Sequence, residues 1–405
     1  MKHARCWSFL LIFLCLCILP TGSQAQTDTG AASAVTSVPG LEKQIEFWKK
    51  IFTEYSLSQL VFFDPLDMGR IYEVLEVGED NRPQSYIDAE RGRIAATAGV
   101  DVERVQAQRG VKERMLAGLK RSGRYMQHIE QIFRDNDLPT ELGYLPLVES
   151  SFDINARSFA GAIGMWQFMR ATGKEHRLRI DRNIDERRDP LESSRAAASL
   201  LKQNYQILGS WPLALTAYNY GAGGMARAIA ELQSDNLVEL IQNYQHPYWG
   251  FAPKNFYAEF VAAVEIAKNM DRYFPGIEPD RPLAVHEMEV KQNSSLIAIA
   301  KSTGISHKEL LTWNPALTPQ IRSVPAGYRL KIPLDSKAEP LVQVATNPEP
   351  SPQKQQFVRH RVKRGETILN IARRYGASVD SILRSNGMRK NHLLQAGMTL
   401  LIPKF

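Results

Sequence analysis

With 405 residues, 44% of them hydrophobic, the chain is too long for one compact core and should divide into about two or three domains. Its 50 basic and 43 acidic residues leave a net charge of +7, which suits work on an acidic polymer or near an anionic surface without demanding nucleic acid. All three cysteines, Cys6, Cys15 and Cys17, lie at the extreme N-terminus, so the rest of the chain has neither a disulfide nor a thiolate nucleophile or ligand.

Residues 1–25 read as a cleaved secretory signal. Lys2, His3 and Arg5 precede an apolar run from Trp7 to Leu19, then come Pro20 and the small-residue pattern Ser23-Gln24-Ala25. The run is shorter than the roughly 20 residues that span a bilayer. The mature chain is therefore expected outside the inner membrane, in the periplasm or cell envelope, with no stable membrane span. Residues 26–40, rich in Ala, Ser, Thr and Gly, form a flexible leader.

Residues 41–136 are expected to be a helical region. Leu41, Ile45, Trp48, Ile51, Phe52 and Tyr55 make one apolar stripe, and further helical pattern runs between Asp101 and Leu119 and from Tyr125 to Phe133, up to the break at Leu138-Pro139.

Residues 137–280 carry the chemistry. Glu149 follows the apolar run Leu145-Pro146-Leu147-Val148, where desolvation raises a carboxyl pKa and keeps a proton available near neutrality. Gly164-Met165-Trp166-Gln167 and Ala217-Tyr218-Asn219-Tyr220-Gly221 then combine aromatic faces with amide groups, as sugar clefts do. Glycosidic cleavage commonly uses a second carboxylate. The nearest in sequence, Asp153, reads as structural, which leaves the second carboxylate without a candidate. Helices are predicted from Pro190, with Ser193 and Ser194 as candidate caps and Gly209 as the stop, and from Phe256 to Met270. Trp211, Trp249, Tyr244 and Tyr248 read as core aromatics. No His pair has metal-ligand spacing, there is no Gly-x-Ser-x-Gly elbow, and Gly221-Ala222-Gly223-Gly224 lacks the ending of a phosphate loop. No metal or other cofactor is called for.

Two related modules follow. Ile299, Ala300, Gly304, Ser306, Leu311 and Asn314 recur with the same spacing as Ile371, Ala372, Gly376, Ser378, Leu383 and Asn386. Each copy, 284–333 and 357–404, reads as strand, helix, helix, strand, with Ser306 and Glu309 spaced as a capping box. Residues 334–356 between them form a Pro- and Gln-containing linker. Units this small have little core to spare for catalysis, so binding is the expected role.

On these motifs the segment from about Leu138 to Tyr273 resembles the goose-type lysozyme-like catalytic domain of lytic transglycosylases, of the murein transglycosylase D type. The match comprises Glu149-Ser150, Gly164-Met165-Trp166-Gln167, Ala217-Tyr218-Asn219-Tyr220-Gly221 and a downstream tyrosine placed on Tyr257. The two repeats resemble LysM modules. The second does so closely through Val362-Lys363-Arg364-Gly365-Glu366-Thr367, whereas Lys291-Gln292-Asn293-Ser294-Ser295 replaces the usual glycine-containing turn of the first.

The resemblance implies a mainly α lysozyme-like catalytic domain preceded by a helical region, plus two small α+β (βααβ) modules. It implies cleavage of the β-1,4 bond between N-acetylmuramic acid and N-acetylglucosamine in peptidoglycan, leaving a 1,6-anhydro ring. Glu149 would be the catalytic acid and base. Ser150 and Tyr257 would orient it, and Met165, Gln167, Tyr218 and Asn219 would support it or hold the sugar. The LysM modules would bind N-acetylglucosamine-containing glycan. The rival readings are a hydrolytic lysozyme-type muramidase and a non-catalytic peptidoglycan-binding protein.

Overall fold

The computed structural model describes residues 33–34, 38–334 and, with breaks at 364, 387, 389–393 and 395, residues 357–403. The expected signal segment, most of the leader and nearly all of the linker lie outside the described residues. The described residues form two compact units, one ending at residue 334 and the other starting at residue 357.

The first unit opens with α1 (Glu42–Thr53), whose buried Trp48, Ile51 and Phe52 lie on the expected stripe and are joined by Phe47, which is not part of it. The region that follows is helical only in part. An antiparallel sheet of β1 (Gln59–Asp64), β2 (Asp67–Glu76) and β3 (Gln106–Arg109), ordered β2-β1-β3, carries α2 (Gln84–Ala98). The helical pattern expected from Asp101 breaks into one 3-10 turn and β3, and α3 (Lys112–Arg134) starts only at Lys112. Leu60 and Phe62 belong to the small core under α2, while Val61 and Phe63 join the main core, so β1 buries both faces. A doubly buried strand shows no alternation, which is why periodicity misses it.

The main core is helical. After α3 come the single-turn α4 (Pro146–Glu149), α5 (Arg170–Glu175), α6 (Pro190–Leu208), α7 (Trp211–Tyr220), α8 (Ala222–Leu232), α9 (Leu237–Asn243), α10 (Phe251–Lys268) and α11 (Met270–Tyr273). Asp189 caps α6 by accepting from the N–H groups of Leu191 and Glu192 (2.9 and 3.0 Å). The expected caps Ser193 and Ser194 instead lie inside the helix, where their hydroxyls donate to the Asp189 and Pro190 carbonyls. Gly209 ends α6 at φ +75°. Helix α10 starts earlier than predicted and buries Tyr257, Phe260, Val264 and Ala267. Helix α1 braces it: Trp48 donates to Asn255 (3.2 Å) and Lys49 pairs with Glu265 (3.0 Å). Among the four aromatics read as core, Trp211, Trp249 and Tyr244 are buried and Tyr248 is exposed.

The first repeat belongs to this unit. Strands β4 (Val285–Glu289) and β5 (Arg329–Pro333) pair antiparallel around α12 (Leu296–Thr303) and α13 (His307–Trp313). Helix α13 has the expected capping box of Ser306 and Glu309. The second unit repeats the plan with β6 (Phe357–Arg361), α14 (Ile368–Tyr375), α15 (Val379–Ser385) and β7 (Thr399–Pro403). Thr367 caps α14 and Gly376 stops it. Glu366 accepts from the Lys363 N–H, His360 and Arg374, interactions that hold its carboxyl down at about 2. In both repeats one asparagine, Asn314 or Asn386, joins the second helix to the last strand by the same three hydrogen bonds, to Leu310 and Lys331 or to Ile382 and Leu401.

No helix among the described residues is long and apolar enough to cross a membrane.

Candidate active site

The chain turns sharply after Glu149. Leu142, Leu145, Pro146 and Leu147 are buried and anchor the single turn of α4, at whose C-terminal end Glu149 sits. The next residues reverse direction through left-handed backbone: Ser151 has φ +53° and the buried Phe152 φ +59°. A bulky residue there is strained and persists only because its surroundings hold it. The holding groups are the Pro146 carbonyl, which accepts from the N–H of both Ser150 and Phe152, and Arg121, which donates to the Ser151 carbonyl (2.8 Å). Gly118 of α3 lets the turn approach: a Cβ there would lie 3.0 Å from the Ser151 backbone.

The segment from Ala156 to Phe168 folds over this turn. Ile163 and Phe168 exchange backbone bonds of 3.1 and 3.2 Å, and the Gly164 N–H donates to Ala156 (2.9 Å). Trp166 is buried, donates to Ser194 (2.9 Å) and stacks on Phe133 at 5.9 Å. Burying a large side chain of this kind stabilises by about 1.5–3 kcal/mol, so Trp166 is the loop's anchor.

Two successive carbonyls then bring the motifs together. The Ser150 hydroxyl donates to the Met165 carbonyl (2.7 Å) and the Tyr218 hydroxyl to the Trp166 carbonyl (2.8 Å). Ser150 thus ties the Glu149 turn to the loop, and Tyr218, flanked by Phe168 and stacked on Phe256, ties α7 to it. Met165 is buried beneath the loop. Gln167 sits at φ +49° with its amide nitrogen donating to the Gly164 (2.7 Å) and Ala156 carbonyls. Its donors are engaged within the loop, so the amide oxygen is the group it offers. Asn219 is exposed beside Tyr218. Tyr257 is buried on α10 with its hydroxyl 3.5 Å from the Ala34 carbonyl. Asp153 accepts from the Asn155 N–H (2.8 Å), the structural role expected of it.

Glu149 keeps some solvent access, yet the protein around it pushes its carboxyl up to about 8, chiefly by burial and secondarily by the charge of Glu259. Burial pushes Glu259 to about 8 as well. Neither carboxyl has a hydrogen-bond or ion-pair partner among the described residues. A second carboxyl thus stands in the field of Glu149, because α10 packs on α4 and brings in Glu259 from more than 100 residues away in sequence. Local reasoning missed it, although a lone acid inside the apolar run Phe256–Val264 was a readable signal. The same burial raises the Tyr218 hydroxyl well above its ordinary value, with the Glu149 charge adding to it, so the phenol remains a proton donor.

Residues 127–239 match the family model of the transglycosylase SLT domain, and residues 288–333 and 360–403 match that of the LysM domain. The chain carries an SLT domain and two LysM domains. It is homologous to the membrane-bound lytic murein transglycosylase D of Escherichia coli (strain K12), 29% identical over 296 residues, covering 69% of this chain and 63% of that protein. It is also similar to a putative tributyltin chloride resistance protein of Alteromonas sp. (strain M-1), 33% identical over 111 residues, covering 27% of this chain and 54% of that one. The chain thus spans less than two thirds of the length of either relative.

The SLT match begins inside α3 and ends in α9, so it contains Glu149, the Gly164–Gln167 loop, Tyr218 and Asn219 but not Tyr257 or Glu259. Sequence reasoning gave Arg187, part of the Asp185-Glu186-Arg187 string that also fits the resemblance, no role of its own. This buried residue is held by Asp185 (2.7 and 2.8 Å) and donates to the Phe168 and Gly161 carbonyls (3.2 and 3.3 Å), clamping the loop from behind.

Proposed function

We propose that this chain is a peptidoglycan lytic transglycosylase of the cell envelope. It cleaves the β-1,4 bond between N-acetylmuramic acid and N-acetylglucosamine and leaves 1,6-anhydro-N-acetylmuramic acid. The observation that supports this reading is the Glu149 carboxyl, pushed up to about 8 in a loop-bounded turn and without an ionic partner among the described residues.

Glu149 donates its proton to the glycosidic oxygen as the bond to C1 breaks, and the substrate's acetamido group supports the cationic centre. The resulting carboxylate then takes the proton of the C6 hydroxyl while O6 bonds to C1, which regenerates the acid. The exposed Asn219 and the free oxygen of Gln167 are placed to hold the sugar, and Ser150 and Tyr218 keep the loop seated beside Glu149. The LysM domains give affinity for glycan, and linking modules raises local enzyme concentration at that polymer.

Glu259 is the observation that favours a hydrolytic muramidase as the second reading, since retaining enzymes use a second carboxylate as nucleophile. A carboxyl whose pKa lies at about 8 is mostly neutral at pH 7, which argues against it in that role. Product analysis decides: the transglycosylase product is about one water lighter than the reducing sugar left by hydrolysis. Digests of sacculi are expected to contain the anhydro product, and reducing ends alone would refute the proposal.

The two carboxyls also set a pH profile. Glu149 is active as an acid below its pKa, so kcat/KM is expected to fall as pH rises through about 8. Glu259→Gln removes a neighbouring negative charge that holds the Glu149 proton, so the alkaline limb should move to lower pH. A limb that stays in place or moves upward would show that the two groups do not interact.

A further inference from the structure

The two LysM domains share one plan but differ in one patch. Where β4 and β5 of the first present Glu287, Arg329 and Lys331, the matching strand positions of the second hold Arg359, Thr399 and Leu401. Those three residues meet the SLT domain. The Lys331 ammonium is almost wholly buried, 2.7 Å from the equally buried Asp189, 3.3 Å from Glu192 and 3.4 Å from Glu287. Arg195 of α6 bridges Glu192 and Glu287, and Arg329 pairs with Glu192. Around this ionic centre the Asp185 N–H donates to the Ala316 carbonyl (2.8 Å) and the Thr318 N–H to the Asn183 carbonyl (2.9 Å). Ile184 of the SLT domain is buried inside the core of the first LysM domain, among Leu310, Leu317 and Leu330.

The same stretch, Asn183 to Asp189, supports the active-site loop from the other side. Asp185 orients Arg187, which holds the Phe168 and Gly161 carbonyls, and the Arg187 carbonyl lies directly behind Gly164. Gly164 begins the loop whose next two carbonyls receive Ser150 and Tyr218.

We infer that the first LysM domain is a positioning element of the catalytic unit: its Lys331 and 316–318 segment hold residues 183–189, with Arg329 bracing the adjacent Glu192, and through them the Gly164–Gln167 loop over Glu149. Its divergence from the second domain is the conversion of a strand face into a docking face. Positioning matters to rate because a misplacement of about 1 Å from a remote change can cost about 10²-fold. The catalytic part of this inference rests on the function proposed above, whereas the support of the loop does not.

The test uses the full chain with Lys331→Leu and Arg329→Thr, each introducing the residue of the second domain. Lys331 is buried with three carboxylates, so where Lys331→Leu does not melt as a folded protein the half-exposed Arg329 decides. Amide hydrogen exchange at residues 161–168 is expected to accelerate in both variants. The kcat on a short soluble glycan should fall, about tenfold or more for Lys331→Leu and less for Arg329→Thr, with KM little changed. Co-sedimentation with sacculi should be retained. Unchanged loop exchange, or unchanged kcat with lost sacculus binding, in a folded variant overturns the inference. A wild-type chain that releases no anhydro product refutes the proposed function, and loop exchange then decides this inference alone.

Discussion

Glu149→Gln is expected to lower release of soluble product from sacculi by about 10²–10⁴-fold, the usual worth of a general acid-base group, while co-sedimentation with sacculi stays near the wild-type level. The amide keeps the size and packing of the side chain but has no proton to give and no carboxylate to take one back, so both halves of the proposed cycle fail. No other carboxyl on the Glu149 turn replaces it, because Asp153 is committed to its own loop. Near wild-type product formation by the purified variant would refute the assignment.

The same substitution has a second readout, in stability. Glu149 has a folded-state pKa of about 8 against an ordinary value of 4.5, so the folded protein holds this proton more tightly than the unfolded chain does. Stability from this group is intact below about pH 4.5 and is lost as pH rises toward 8. Removing the carboxyl abolishes that loss. Glu149→Gln should melt like wild type near pH 4 and a few degrees higher at pH 8 or above. A gain at pH 4 with none at pH 8 would contradict the buried, proton-holding environment.

Gly164→Ala is expected to be the most destabilising small change in the catalytic loop. Its φ is +84°, and an added Cβ would lie 1.8 Å from the Arg187 carbonyl oxygen, a backbone atom that cannot swing aside. The loop must move, which breaks the Arg187 clamp and displaces the Met165 and Trp166 carbonyls from Ser150 and Tyr218. We expect a loss of about 3 kcal/mol or more, from overpacking and backbone strain together, with activity falling in parallel. Gly161→Ala is the internal comparison. Gly161 also has positive φ (+90°), but nothing lies within 4 Å of its Cβ position, so only about 1 kcal/mol of conformational strain is expected. Denaturant unfolding of the two variants separates steric from conformational cost, and equal losses would refute the close approach at Gly164.

Much of the site was legible because its parts are local. The apolar run before Glu149 announced a desolvated acid, and the Gly164–Gln167 and Ala217–Gly221 motifs were contiguous strings. In the repeats, the capping box at Ser306 and Glu309, the Thr367 cap and the Gly376 stop each depend on residues within one turn of helix. The cap of α6 was misread because serine and aspartate favour caps for the same reason, and Asp189 stood just before the proline that starts the helix.

Sequence by itself determined the order of modules, the candidate acid and several helix caps and stops, since each is set by side chains acting on their own or adjacent backbone. Only the tertiary structure decided that Ser150 and Tyr218 bond to the loop, that Glu259 stands in the field of Glu149, that β1 forms a doubly buried strand and that the first LysM domain docks through Lys331. Those outcomes depend on packing between segments far apart in the chain. A pattern of residues encodes which faces are apolar, but the energy that selects one pairing of faces exists only once both are formed and water has left the space between them.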